Sequence, residues 1–261
     1  MKHANVINRF IFFILFFAKF FKNHGLLTLT DQPQWKVIKG GSKSYLSPLI
    51  APFSKAINTN TTIHRITRTS EGVRIEHSKN GIHLMQMFDE VVFACHSDEA
   101  LALLTDRTDT EKNILEAIPY EDNDVVLHTD TSILPRKRST WSSWNYWVQQ
   151  SDMNRAVLTY NMNILQGIEA EQTFCVTVNA SEHIAPGKVL GRYSYAHPQF
   201  SLAGIAAQQR WAEINGTNQT WFAGAYWANG FHEDGCASGF RVAKAIIKQS
   251  YEQSANSEEA A

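Results

Sequence analysis

Residues 221–243 read Trp-Phe-Ala-Gly-Ala-Tyr-Trp-Ala-Asn-Gly-Phe-His-Glu-Asp-Gly-Cys-Ala-Ser-Gly-Phe-Arg-Val-Ala. The aromatic run has strand composition and stops at Gly224. A short connection follows, and a helix opens near His232 and extends to about Gln253. Gly235 and Gly239 fall in its first two turns. A glycine inside a helix costs about 1 kcal/mol relative to alanine, and positions i and i+4 share one face. Two glycines there imply a close approach to the backbone. The unpaired N–H groups and positive dipole end of such a helix suit a phosphate or an electron-rich ring edge. A helix packed tightly on a sheet, with small residues for clearance, satisfies the same pattern. The helical period gives the stripe Cys236, Phe240, Ala243 and Ile247 as its buried face.

Upstream, the chain alternates between two textures. Gln34–Ile38 is a short strand-like run, and Gly40-Gly41-Ser42 makes a tight loop. Residues 44–56 have helical spacing, with Tyr45, Leu49 and Phe53 on one stripe. Thr62–Arg68 and Val73–Ile75 alternate as strands about the turn Ser70-Glu71-Gly72. Phe88–Ala94 reads as the continuous apolar strand of a parallel sheet, followed by a helix over Ser97–Leu104 capped by Ser97 or Asp98. From about residue 106 the strands Val125–Thr129, Ser142–Trp147, Ala156–Tyr160, Phe174–Val178 and Val189–Tyr195 are separated by polar turns, which favours an antiparallel sheet. The fold class is therefore α/β in the mixed α+β sense, with a parallel unit interrupted by an antiparallel one.

Hydrophobic residues make up 44% of the 261-residue chain and charged residues 19%, enough for a real core. A net charge of −1 gives no electrostatic pull on nucleic acid. Cys95, Cys175 and Cys236 are odd in number and widely spaced, so neither a disulfide framework nor a metal centre is indicated, and a cytoplasmic setting is the simplest. Phe10–Phe21 is rich in phenylalanine. As a helix it would span roughly 18 Å, short of the roughly 30 Å hydrocarbon layer. A signal or membrane anchor is less favoured there than a helix buried in a larger domain, with membrane association as the rival.

Several of these stretches resemble the flavin-containing amine oxidase and phytoene desaturase superfamily. Gly40-Gly41 looks like the loop that opens the second part of its FAD domain. Ile63-His64-Arg65-Ile66 is similar to its adenine-binding strand, and Asp89-Glu90-Val91-Val92-Phe93-Ala94 to the strand that closes that part. Phe222-Ala223-Gly224, Gly230-Phe231-His232-Glu233 and Gly239-Phe240-Arg241-Val242-Ala243 fit its carboxyl-terminal motif, and residues 23–27, 40–42, 94–98 and 230–235 look like further stretches of such proteins. The resemblance implies an incomplete FAD-binding Rossmann-like domain interleaved with a substrate domain. Residues 1–32 would be a helix of the substrate domain, 33–105 the middle of the FAD domain, 106–215 the antiparallel substrate domain, 216–254 the carboxyl-terminal FAD motif, and 255–261 a tail.

The same resemblance implies FAD as cofactor and hydride transfer from a small or lipid-like substrate to flavin N5. It assigns cofactor contacts to Gly40, Gly41, Ile63, Ala94, His96, Gly224, Glu233, Asp234, Gly235, Cys236 and Gly239. Phe231, His232 and Trp227 are candidates beside the reacting atoms, set against ordinary core packing or helix capping. Two features depart from the pattern. Tyr226 stands where many relatives carry an acidic residue, and no Gly-x-Gly-x-x-Gly occurs in the chain. That fingerprint cradles the pyrophosphate, so the expectation is a truncated form whose amino-terminal half is missing. A non-catalytic remnant and a membrane-associated binding protein are the alternatives.

Overall fold

A computed structural model of the protein describes residues 36–147 and 157–259, and before them Ile14, Ala18, Phe21, Lys22, Gly25, Leu27, Thr28, Thr30 and Gln34. Expectations for Phe10–Phe21 and for Asn23-His24 fall almost wholly outside those residues. The chain divides into two units, Met1–Ala56 and Ile57–Ala261.

In the first unit the described part of Gln34–Ile38 forms no strand. Gly40 and Gly41 take φ of 84° and 79°, a left-handed pair that turns the chain and lets Gly41 N–H reach the Ile38 carbonyl at 2.9 Å. The helical stretch expected over residues 44–56 is broken into a 3-10 turn (Ser42–Tyr45), a five-residue helix α1 (Leu46–Ile50) and a second 3-10 segment (Ala51–Ala56) kinked at Phe53. Its expected inner stripe is exposed, Leu49 at 61% and Phe53 at 52%.

Among the described residues the second unit contains three sheets. β1 (Thr61–Thr69), β2 (Gly72–Lys79) and β3 (Ile82–Phe88) form an antiparallel meander. β4 (Val91–Phe93) pairs in parallel with β10 (Thr220–Phe222). The single strand expected over Phe88–Ala94 is two elements, because Asp89 and Glu90 turn the chain from the meander into the parallel pair. β5 (Tyr120–His128), β6 (Trp144–Trp147), β7 (Val157–Asn161), β8 (Cys175–Val178) and β9 (Val189–Pro198) make an antiparallel sheet in the order β6-β7-β8-β5-β9. The mixed α/β class read from the sequence is the observed one.

The helices of this unit are α2 (Ser97–Leu103), α3 (Asp109–Glu116), α4 (Met162–Gln166), α5 (Leu202–Gln209) and α6 (His232–Glu259). The cap of α2 is His96 rather than Ser97 or Asp98. Thr108 and Glu111 form a capping box that starts α3. Helix α6 runs on to Glu259, past the tail expected from residue 255.

One core joins the meander, the parallel pair and α2, α3, α5 and α6. Phe222 is fully buried and stacks on Phe93 at 5.3 Å. Ile114, Leu115, Ala207, Trp211 and Ile214 belong to this core, so the chain segments on either side of β5–β9 pack with the parallel pair. The expected inner stripe of α6 is instead its outer one. Ser238 (7%) and Val242 (3%) are buried, whereas Phe240 is 64% and Ile247 56% exposed. Small residues decide this: Gly235 sits against Ala225, and the Ser238 hydroxyl accepts the Gly224 N–H at 3.1 Å.

An ion pair is sealed into this core. Arg68, on β1, donates through Nη2 to Glu111 Oε2 at 2.9 Å and through Nε to Asp106 Oδ2 at 2.9 Å, and it also pairs with Glu111 Oε1. The Arg68 and Glu111 side chains are 4% and 1% exposed. Burial alone would lower the Arg68 pKa, but the hydrogen bonds to Glu111 and Asp106 raise it; burial would raise that of Glu111, but the Arg68 and Thr108 hydrogen bonds lower it. Removing one partner of such a pair leaves a buried charge alone, which costs about 3–5 kcal/mol. Arg68→Met should therefore lower unfolding free energy by about that much in urea titration. A loss below about 1 kcal/mol, the size of a surface ion pair, would contradict the geometry.

A second buried network ties the antiparallel sheet. His128 is fully buried, its Nδ1 accepts the Asp130 N–H at 3.1 Å, and its Nε2 meets Thr177 Oγ1 at 2.8 Å. Thr177 Oγ1 in turn lies 2.9 Å from Thr159 Oγ1. Burial pushes the His128 pKa down, against a smaller upward pull from Asp130. Protonation would aim Nδ1–H at another N–H. Because the unfolded chain then binds the proton more readily than the folded one, stability is present above the ordinary histidine pKa and falls as pH drops below it. The expected slope is about 1.4 kcal/mol per pH unit below roughly 6.5. Urea titrations at several pH values between 7.5 and 5 should show this slope, flattened in His128→Gln.

Candidate functional site

Because β4 and β10 run parallel, their carboxyl ends meet at one edge, the place where such sheets gather ligands. Ala94 and His96 follow β4, and Ala223 and Gly224 follow β10, with the Ala223 N–H donating to the Phe93 carbonyl at 2.8 Å. From Gly224 the chain makes the turn Ala225–Trp227 and enters α6, where a Cβ built at Gly235 would come within 3.8 Å of the Ala225 Cβ. Ala94, Gly224 and Gly235 are thus brought to one end of the sheet.

The first turn of α6 is open. Phe231 is 43% exposed, and His232, Glu233 and Cys236 are exposed with it. Its leading amides have no carbonyl behind them within the helix. Asp234 holds the entry, accepting the Asn229 N–H at 3.1 Å and the Phe231 N–H at 3.0 Å. Around Gly239 there is open space: a Cβ built there would meet nothing within 4 Å.

Gly224 differs. A Cβ there would overlap the Tyr226 ring. The close approach that this glycine permits is made by the chain's own Tyr226, which is 3% exposed. The Tyr226 hydroxyl is buried without a hydrogen-bond partner, and burial pushes its pKa up. A cavity of about 10 Å³ beside Tyr226, lined also by Ile118, Gly204 and Gln208, has room for about one water. Trp227 is 9% exposed and donates from Nε1 to the Phe222 carbonyl at 3.0 Å. Tyr226 and Trp227 therefore belong to the core and form no open aromatic wall.

His96 is half-buried; its ring stacks on Tyr120 at 4.3 Å, and its backbone N–H donates to Glu99 Oε2 at 3.0 Å. Ile63 lies on the meander opposite His77, beside a bulge. Gly40 and Gly41 lie in the other unit. Ser238 and Tyr120 were not singled out by sequence. Ser238 had a readable sign, since it sits three residues beyond Gly235 on the same face of the helix; Tyr120 had none.

Two further concavities lie elsewhere. One, of about 280 Å³ on the antiparallel sheet, is lined by Leu134, Arg136, Tyr146, Trp147 and His183, with Tyr146 66% and Trp147 39% exposed. The other lies on the meander around His64, His77, His83 and Glu76. Among the described residues no group of three or more His, Cys, Asp or Glu side chains is placed to hold a metal ion. No described helix is long and apolar enough to cross a membrane. Cys175 is buried, and its thiol is pushed up to about 11 by burial, so it stays protonated at neutral pH.

No family model matches the chain, and no curated protein matches it. Solved structures do. The fold is similar to a CLA-producing fatty acid isomerase from P. acnes (TM-score 0.55, 14% identity, 80% of this chain and 52% of the isomerase). Cyclohexylamine oxidase from Brevibacterium oxydans IH-35A is similar over 72% of this chain and 48% of its own, at 12% identity and a TM-score of 0.40. RebC-10x follows at 10% identity and a TM-score of 0.33, over 72% of this chain and 36% of its own. The chain spans about half the length of the first two of these proteins. The likeness to the isomerase shows a shared mixed α/β fold over most of this chain.

The two kinds of glycine can be told apart by substitution. Gly224→Ala drives a methyl into the fixed Tyr226 ring and should destabilise by about 1–3 kcal/mol. Gly239→Ala meets open space within a helix and should stabilise by about 0.5–1 kcal/mol. Thermal or urea unfolding of both variants checks this; equal effects would refute the distinction.

Proposed function

We propose that this chain is the carboxyl-terminal part of an FAD-dependent oxidoreductase of the amine oxidase-like kind. The carrying observation is the shared carboxyl edge of β4 and β10, which leads through Gly224 into the open first turn of α6. When bound, FAD supplies the hydride acceptor. The chain's own residues position and polarise. The leading amides of α6, with open space at Gly239, meet a ring edge and stabilise negative charge there. Asp234 keeps the entry loop in place, Ala94 and His96 close the neighbouring strand end, and Phe231 and His232 stand at the exposed rim towards substrate. Glu233 and Cys236 are the other side chains of that turn.

The residues present fit the ring end of the cofactor and not its pyrophosphate. No Gly-x-Gly-x-x-Gly turn exists in the sequence, and the close approach at Gly224 is taken by Tyr226. Gly40, Gly41 and Ile63 remain assigned to the adenosine end on the resemblance alone. The reading is thus a truncated form whose phosphate grip lies on a segment outside these residues, acting on a small or lipid-like substrate. The likeness to a fatty acid isomerase favours the lipid-like class. A non-catalytic remnant is the second reading, favoured by the filled approach at Gly224. Retention in the cytoplasm is part of the proposal.

Expressed and purified alone, the chain should be colourless. Flavin absorbance near one equivalent would overturn the assignment of the phosphate grip to another segment. With that segment supplied, flavin should be retained, and Gly239→Ala should weaken retention by about 1–3 kcal/mol although it leaves the apo chain as stable as before or more so. Unchanged retention would remove α6 from the cofactor site.

A further inference from the structure

We infer that the outer face of the meander carries a binding site for a soft monovalent metal ion, Cu(I), held by the imidazoles of His64 and His83 and the thioether of Met85. The inference stands apart from the flavin reading, which assigns a role to none of these three residues.

Strand alternation sorts the side chains first. Ser78 pairs with His83 and Glu76 with Met85 across β2 and β3, and successive side chains of a strand point to opposite faces. Ser78, Glu76, His83 and Met85 therefore share one face. Val73, Ile75 and His77 share the other, which meets the core through Val73 and through Ile66, the partner of Ile75. On β1 the register slips between Ile63 and Arg65, so His64 is the extra residue of a bulge. A bulge re-aims a side chain. This one brings His64 over β2, with Nε2 2.9 Å from Ser78 Oγ and the ring centroid 5.2 Å from that of His83, the planes tilted by 31°. His64 from β1 and His83 and Met85 from β3 line one concavity of about 450 Å³. All three side chains are exposed.

A ring contact alone is ordinary packing. Two further features point to an ion. An imidazole nitrogen lies roughly 2.0–2.1 Å from a bound metal such as zinc, which sets two rings sharing one ion about 4.5–6 Å apart between centroids. The observed 5.2 Å falls inside that range. A ligating histidine also gives its other ring N–H to a nearby acceptor, which fixes the tautomer. Ser78 Oγ fills that place for His64: Nε2–H donates to it, and Nδ1 keeps the lone pair that faces a metal.

The donor set then selects the metal. Imidazole suits zinc, copper, iron and nickel, whereas a thioether selects Cu(I); zinc takes thiolate, imidazole and carboxylate instead. Among the described residues no third His, Cys, Asp or Glu completes such a group. Glu76 lines the same concavity, but it faces Arg65 across the strand pair and lies 3.8 Å from Arg74 Nε, so its charge is already answered. Two arginines on that face, with no carboxylate bound to the ion, oppose a divalent cation more than a monovalent one. His77 belongs to the inner face, is 7% exposed and is not a ligand.

The test is competition of the full chain, reduced and oxygen-free, against bicinchoninate for Cu(I). The exposed thiol of Cys236 is removed by Cys236→Ser in every sample, so that it cannot supply the binding. The chain should withdraw one equivalent of Cu(I) from the bicinchoninate complex, and X-ray absorption should show nitrogen and sulfur ligands together. His64→Gln, His83→Gln and Met85→Leu should each weaken binding at least tenfold. Ser78→Ala should weaken it about tenfold, and Ser78→Thr should restore it. Glu76→Gln should change it less than threefold. No withdrawal of Cu(I), binding that survives His64→Gln with His83→Gln, or binding untouched by Met85→Leu would each overturn the inference. The three ligand variants should keep the unfolding midpoint of the metal-free parent, since the side chains are exposed. Should one shift it, NMR of the unsubstituted imidazoles decides with Ag(I) as the probe. Ring ¹⁵N signals of His64 and His83 that move together with one equivalent keep the site, and unmoved signals remove it.

Discussion

The Arg68–Glu111 pair holds the second unit together because it joins what the sequence keeps apart. Arg68 belongs to the meander, Glu111 to α3, and Arg68 Nη1 also lies 3.4 Å from Thr220 Oγ1 on β10. Asp106 and the Thr108–Glu111 capping box fix the connection between α2 and α3 around it. Two ions buried this deeply are unfavourable unless every lone pair and proton finds a partner. Here the guanidinium meets Glu111, Asp106 and the Asp106 carbonyl. The demand for so many simultaneous partners fixes the meander against the parallel pair more sharply than apolar packing, which tolerates sliding.

Much of this was legible in the sequence. Period-2 runs marked β1, β2 and most of the antiparallel sheet, and in β7 and β8 the burial alternates with them, whereas in β1 and β2 it does not. The parallel strand was legible from Val91-Val92-Phe93, although its start was misplaced: a continuous apolar stretch does not mark where Asp89-Glu90 breaks the chain. Helix α3 left a readable trace in Thr108 and Glu111, an N-cap and its reciprocal partner. Its partner Arg68 left none, since a charged residue in an alternating strand reads as solvent-facing. The mispredicted face of α6 has a similar origin. The helix carries two apolar stripes, Val242 with Ile246 and Phe240 with Ile247. Only the contact of Gly235 and Ser238 with the turn at Gly224–Ala225 decides which is inside.

The candidate site was legible in part because glycine carries an ambiguous message. Gly224, Gly235 and Gly239 all announce close approach, but what approaches each one is a tertiary fact. At Gly224 it is Tyr226, two residues on. A Cβ built at Gly235 would meet Ala225 at ordinary van der Waals distance, and one at Gly239 would meet nothing among the described residues. One motif therefore divides into a self-packing end and an open end, and only the open end can receive a ligand.

That division bears on the exposed apolar groups. A globular chain with 44% hydrophobic residues normally leaves large apolar side chains exposed singly. Here Phe240 and Ile247 lie on one face of one helix, and Val92 on β4 is 45% exposed. Helix propensity cannot account for a bulky stripe facing water, because alanine would form the helix better. Nor does core packing, since the opposite face already fills the core through Val242 and Ser238. Val242 and Ser238 thus fix the inner face of α6, and Phe240 and Ile247 form an exposed apolar stripe on its outer one.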